Sequence, residues 1–184
     1  IALTLLVLSL GVPDATGRDD LTDELIDELP QLATYALSFA VISMFWLAHH
    51  RLYGLIERID TTLLVSNLGQ LGLIALIPFP TEVLGEYPNE RAAVVLYAAV
   101  LGTTALVGVA NWLHVTRRGL ARDTPQARLV HGIWRGVTLA GVFFASIPIA
   151  FVSVSAAQLS WALIALIHVV LGRRFGSIYR RPAA

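Results

Sequence analysis

Cysteine and lysine are both absent from this chain, and charge of either sign is scarce. Without cysteine there is no disulfide scaffold, zinc ribbon or thiol nucleophile, and the redox compartment is left undetermined. Without lysine, all 13 basic residues are Arg, and 13 Asp+Glu balance them to a formal net charge of zero. The arginine bias reads as codon usage and not as chemistry. A zero balance with no long basic run removes the electrostatic footprint of a nucleic-acid binder. Only 14% of the 184 residues are charged, against about 25% in soluble domains, too few to coat a water-facing surface of this size. The chain is instead 56% hydrophobic, with a mean hydropathy of +0.70. Most of it is therefore solvated by lipid.

A helix crossing about 30 Å of hydrocarbon needs roughly 20 mostly apolar residues. The runs at approximately 1–12, 30–48, 61–80, 92–115, 129–152 and 156–172 predict an all-α integral membrane protein, a bundle of six spans in which the first is cut short. They form a single membrane domain over 1–175, followed by an arginine-containing tail at 176–184. A cleaved signal peptide is the competing reading of the first run, but no Ala-x-Ala site follows it and an acidic segment begins at once. The chain opens on Ile1 inside an apolar run, so the expectation is a helix entered part-way.

Charge alternates between the connections. The segment Asp14–Leu29 carries seven acids, and Glu82, Glu86 and Glu90 fall between the third and fourth runs. Arg51 and Arg58, then Arg117, Arg118, Arg122 and Arg128, then Arg173, Arg174, Arg180 and Arg181 fall on the other side. Ten Arg therefore face two, Arg18 and Arg91, and the positive-inside rule puts the ten, together with both termini, in the cytoplasm. The acidic segment has a short amphipathic helix pattern at Asp19–Glu28.

With no water-soluble domain, function has to lie in the bundle. Gly132-x-x-x-Gly136 followed by Ala140, and Ala98-x-x-x-Gly102, are spacings that bring helices close. Ser66, Asn67 and Gln70 share a face of the third run, read first as interhelical hydrogen bonds that set bundle geometry. Every mid-membrane position of the last three runs reads as apolar or merely hydroxylated, and Arg135 as an anchor that snorkels to the interface. His49, His50, His114, His131 and His168 all fall near the arginine-rich ends of helices. A haem or metal site between helices is conceivable there, yet no zinc or di-iron spacing is present.

No nucleophile elbow, phosphate loop or paired intramembrane carboxylate exists, so no catalytic residue, resident cofactor or metal is nominated. A coupled proton or small-solute transporter would need a buried carboxylate, a broken helix or internal repeats, and none is evident. A passive path remains, and with no Thr-Val-Gly-Tyr-Gly filter and no carboxylate ring, a hydrophobic constriction is the surviving option. Ile1, Leu5, Leu8 and Val12 lie on one face of the first run with Thr4 beside Leu8.

Three segments together carry a resemblance. Ile1-Ala-Leu-Thr-Leu-Leu-Val-Leu8, Phe45-Trp-Leu-Ala-His-His-Arg-Leu52 and Asn67-Leu with Ile74-Ala-Leu-Ile-Pro-Phe-Pro-Thr81 resemble the transmembrane protein 175 family of potassium channels in its single-repeat prokaryotic form. The resemblance implies a homotetramer in the cell membrane, with four copies of the first helix around a potassium path and no carbonyl filter. It implies a constriction at Ile1, Leu5 and Leu8 with a selectivity-related hydroxyl at Thr4. Trp46, His49, His50 and Asn67 would belong to the polar network seating that helix. It also places the family's Arg-x-x-x-Phe-Ser-Asp motif just upstream of Ile1.

Overall fold

In the computed structural model the described residues are 26, 29–122 and 125–175. The expectations for Ile1–Val12, for the amphipathic pattern of the acidic segment and for the tail at 176–184 lie outside them. Among the described residues seven helices come in order: α1 (Leu29–Tyr53), α2 (Thr61–Leu76), α3 (Pro78–Glu86), α4 (Arg91–Arg118), α5 (Gln126–Ala150), α6 (Val154–Ser160) and α7 (Ala162–Phe175). Among the described residues the only β-type pairing is an isolated bridge between Ile56 and Ala121.

Local chemistry sets the helix boundaries. The Asp60 side chain accepts from the Leu63 N–H at 2.8 Å and so caps α2. Pro78 has no N–H to continue the ladder of α2, so the chain bends at Ile77 and starts α3 with proline in its first turn. The bent pair forms one apolar stretch, Thr61–Glu86, and the helix runs past the expected limit at Pro80, carrying Glu82 and Glu86 on its last turn. Gly119 closes α4 at φ +60°, a left-handed conformation that suits glycine, while the Leu120 N–H returns to the Val115 carbonyl at 3.1 Å.

Among the described residues four stretches are long and apolar enough to cross a membrane: Gln31–Tyr53, Thr61–Glu86, Arg91–Arg118 and Arg128–Ala150. The run expected as one span at 156–172 instead divides into α6 and α7 at Trp161. Trp161 is pinned there: its indole N–H donates to the Ser146 hydroxyl at 3.0 Å and its ring lies 5.0 Å from Tyr97 and 5.8 Å from Phe143.

Helix α4 is the central post, with 50% of its apolar window buried against 17% for α1. Val94, Ala98, Leu101 and Ala105 of α4 pack with Leu139, Ala140 and Phe143 of α5, with Ile77 and Leu84 of α3, and with Ile42 and Phe45 of α1. The glycine stripe on α5 makes this possible. A Cβ on Gly132 would stand 2.5 Å from the Trp112 ring, and one on Gly136 2.5 Å from Val109 Cγ2, so the spacing read from the sequence seats α5 directly on α4. Most large apolar side chains elsewhere, such as Leu64, Val65 and Leu68 on α2, are exposed, as lipid-facing positions are.

The connections sort by charge in space as they do in sequence. At one end, the loop after α1 meets the loop after α4 through Glu57 N–H to the Leu120 carbonyl at 2.9 Å and Arg122 N–H to the Leu55 carbonyl at 2.8 Å. This is the end carrying Arg51, Arg58, Arg117, Arg118, Arg122 and Arg128. At the other, Gln158 Nε2 donates to the Pro88 carbonyl at 2.7 Å and the Arg91 guanidinium sits 5.1 Å from the Phe151 ring centre.

Candidate functional site

The polar groups of α2 divide between two neighbours. Ser66 and Gln70, one turn apart, face α4 and hold Asn111 between them. The Ser66 hydroxyl donates to Asn111 Oδ1 at 2.6 Å, and Asn111 Nδ2 donates to Gln70 Oε1 at 2.9 Å. Asn111 is 1% exposed, so in a medium without water these bonds offset the cost of burying its amide. Asn67, next along the helix, points instead to α1, where His49 Nε2 donates to its Oδ1 at 2.7 Å. The expectation that all three α2 residues act on one face is thus refined into a two-sided seam. Asn111, near the end of the run 92–115 and so outside the mid-membrane positions expected to be apolar or hydroxylated, is the polar partner that the sequence reading did not single out. Its signal, a lone amide in a long apolar helix four residues before Val115, is present in the sequence.

Below the seam, at the arginine-bearing end, Asp60 joins two helices. Its Oδ1 caps α2 and its Oδ2 accepts from His114 Nε2 of α4 at 2.8 Å. The Leu63 backbone N–H, then the His114 hydrogen bond, hold the Asp60 carboxyl below the usual carboxylate range.

The other nominated residues are spread over the bundle. Trp46 is exposed and stacks on His50, also exposed, with ring centres 5.1 Å apart. His49 stacks on Tyr53 at 4.1 Å. The structure therefore joins His49 to Asn67 and sets Trp46 with His50 in a separate surface stack. His131 is buried on α5. Among the described residues no three His, Cys, Asp or Glu side chains gather as metal ligands would, and His49 and His114 are each engaged by the groups above. Ile1, Thr4, Leu5 and Leu8 lie outside the described residues. Arg135, read as an interfacial anchor, lines a cavity between α1 and α5.

Long apolar helices, a lipid-type exterior and polar groups paired between helices define a multi-pass α-helical membrane protein. Residues 1–78 match the family model described as endosomal/lysosomal potassium channel TMEM175. A potassium channel of Streptomyces collinus is 38% identical over 123 residues, 65% of this chain and 60% of that protein. A potassium channel of Chamaesiphon minutus is 35% identical over 119 residues, 62% and 59% of the two. The endosomal/lysosomal proton channel TMEM175 of Danio rerio is 32% identical over 77 residues, 42% of this chain and 15% of that one. The chain spans about three-fifths of the length of the two bacterial relatives. The crystal structure of a lysosomal potassium-selective channel TMEM175 homolog from Chamaesiphon minutus superposes with a TM-score of 0.70 at 26% identity, over 92% of this chain and 90% of that one. Residues 1–78 thus resemble the TMEM175 family in sequence, and the chain as a whole resembles a TMEM175 homolog in fold.

Proposed function

We propose that this protein is a potassium-selective leak channel of a prokaryotic plasma membrane. The observation that carries the reading is the fold match over nine-tenths of both chains to a potassium-selective homolog, joined by two bacterial relatives named potassium channels. In this reading six spans are completed by the first apolar run and by α6 with α7, and both termini face the cytoplasm. Four subunits surround the path. Ile1, Leu5 and Leu8 form a hydrophobic constriction with Thr4 beside it, and no carbonyl filter is involved. The seam of Ser66, Asn67, Gln70, Asn111 and His49 is the scaffold that holds the helices around the path, and the protein performs no covalent chemistry.

Planar bilayers containing the protein test this reading. Under opposed potassium and sodium gradients, the reversal potential follows potassium; no current, or a potential indifferent to the potassium gradient, overturns it. A second reading, proton permeation, is favoured by the animal relatives named proton channels. A transmembrane pH gradient at equal potassium separates the two, because only proton flux then displaces the reversal potential.

A further inference from the structure

A cavity of about 470 Å³ lies between α1 and α5, floored by Ala105 and Gly108 of α4. Its volume falls in the roughly 300–1,000 Å³ range of sites that hold small organic ligands. Its two long walls belong to stretches of membrane-span length, Gln31–Tyr53 and Arg128–Ala150, so it lies at membrane depth. It is partly open, and its α1 wall includes exposed Leu47, Ala48 and Arg51, which puts the opening along α1.

The lining is ordered along its length. Arg51 and Arg128 stand at the arginine-bearing end. Arg135 comes two turns further along α5, about 10 Å deeper. Beyond the guanidinium groups the walls are mostly apolar, Ser43 and Gln70 being the polar exceptions, with Phe45, Ala105 and Leu139 in contact range of whatever enters. The described lining residues include three arginines and a histidine and no carboxylate. Cationic groups at one end and hydrocarbon at the other complement an amphiphile with an anionic head. A free phosphate would satisfy only the first half, and a neutral lipid only the second. Basic pockets between transmembrane helices on the cytoplasmic side recognise anionic lipid headgroups by this chemistry, and an arginine within a span marks a functional position by default.

We infer that this cavity binds one anionic phospholipid from the leaflet at the arginine-bearing end, its phosphate at Arg51, Arg128 and Arg135 and one acyl chain along Phe45, Ala105 and Leu139. The lipid bridges α1 and α5 where they are otherwise separated. The site is independent of what ion the protein conducts.

Native mass spectrometry of the purified full chain in detergent tests it, with equal amounts of phosphatidylglycerol and phosphatidylcholine of identical acyl chains. Phosphatidylglycerol adducts outnumber phosphatidylcholine adducts in the unaltered protein. The ratio falls by about fivefold for each guanidinium removed in Arg51→Gln and Arg135→Gln, the scale of one arginine's attraction for anionic lipid. Arg91→Gln, at the opposite end, leaves the ratio unchanged. Equal adducts in the unaltered protein, as when another segment or a second copy fills the cavity, overturn the inference, and so does an equal loss with Arg91→Gln. Displacement of phosphatidylglycerol by inorganic phosphate alone overturns it too, by reducing the site to a small-anion site. Should Arg135→Gln fail to fold, Arg51→Gln decides alone, because Arg51 is exposed; an unchanged ratio there overturns the proposal.

Discussion

Asn111 shows how a single amide can set the spacing of two helices. Its carbonyl oxygen and its nitrogen are both used by α2, one by Ser66 and one by Gln70. Asn111→Ala removes both bonds and leaves the Gln70 carbonyl, 5% exposed, without that donor. In a membrane bundle the net cost is moderated because unfolded spans also find partners, so the coupling between Asn111 and Gln70 is about 1 kcal/mol. A double-mutant cycle on thermal unfolding in detergent measures it, and strict additivity of Asn111→Ala and Gln70→Ala refutes the coupling. Asp60 brings a pH dependence of definite sign. Its folded carboxyl titrates below the ordinary value because a backbone N–H and His114 both favour the charged form. Its contribution is therefore fully present above the unfolded carboxylate value and disappears as acid carries the pH down through the lowered folded value. Asp60→Ala melts below the unaltered protein at neutral pH, and the gap closes in strong acid. A gap that widens in acid contradicts the assignment.

The α4–α5 interface depends on glycine at particular turns of α5. Gly136→Ala drives a methyl group toward Val109, a β-branched side chain with little freedom to turn aside. Overpacking of this kind costs about 1–3 kcal/mol. Gly141→Ala, on the same helix, meets nothing within 4 Å and leaves the melting temperature unchanged or raised. Equal effects at the two positions would show that the close approach is unimportant. This stripe was readable from sequence because small residues four apart have one packing meaning in a bundle. The bend at Pro78 and the break at Trp161 were not. Proline signals a broken ladder, but whether the chain stops or resumes helix depends on how the residues after it pack. Thr81 and Leu84 find burial, so the helix resumes to Glu86. Trp161 breaks its helix through contacts with Ser146, Tyr97 and Phe143, which no local pattern encodes.

For the bundle entire, charge was the most legible feature, since loops sort arginine by membrane side whatever the tertiary packing. The meeting of the Arg58 and Arg122 loops at one end agrees with that sorting. The polar seam was legible on α2 and missed on α4, because Asn111 stands alone and has no partner within its own helix. The proposed conducting path makes the separable prediction. A constriction formed by four copies of one helix multiplies every side-chain change by four, so Leu5→Ala shortens four facing side chains at once and admits water where apolar contact had excluded it. Single-channel conductance rises in Leu5→Ala, while the melting temperature stays near that of the unaltered protein because the seam is untouched. Asn111→Ala does the reverse, lowering the melting temperature and the number of active channels without changing the conductance of each. If Ile1→Ala, Leu5→Ala and Leu8→Ala all leave conductance unchanged, the ions pass elsewhere than along the first helix, whatever the fold match implies for the rest of the molecule.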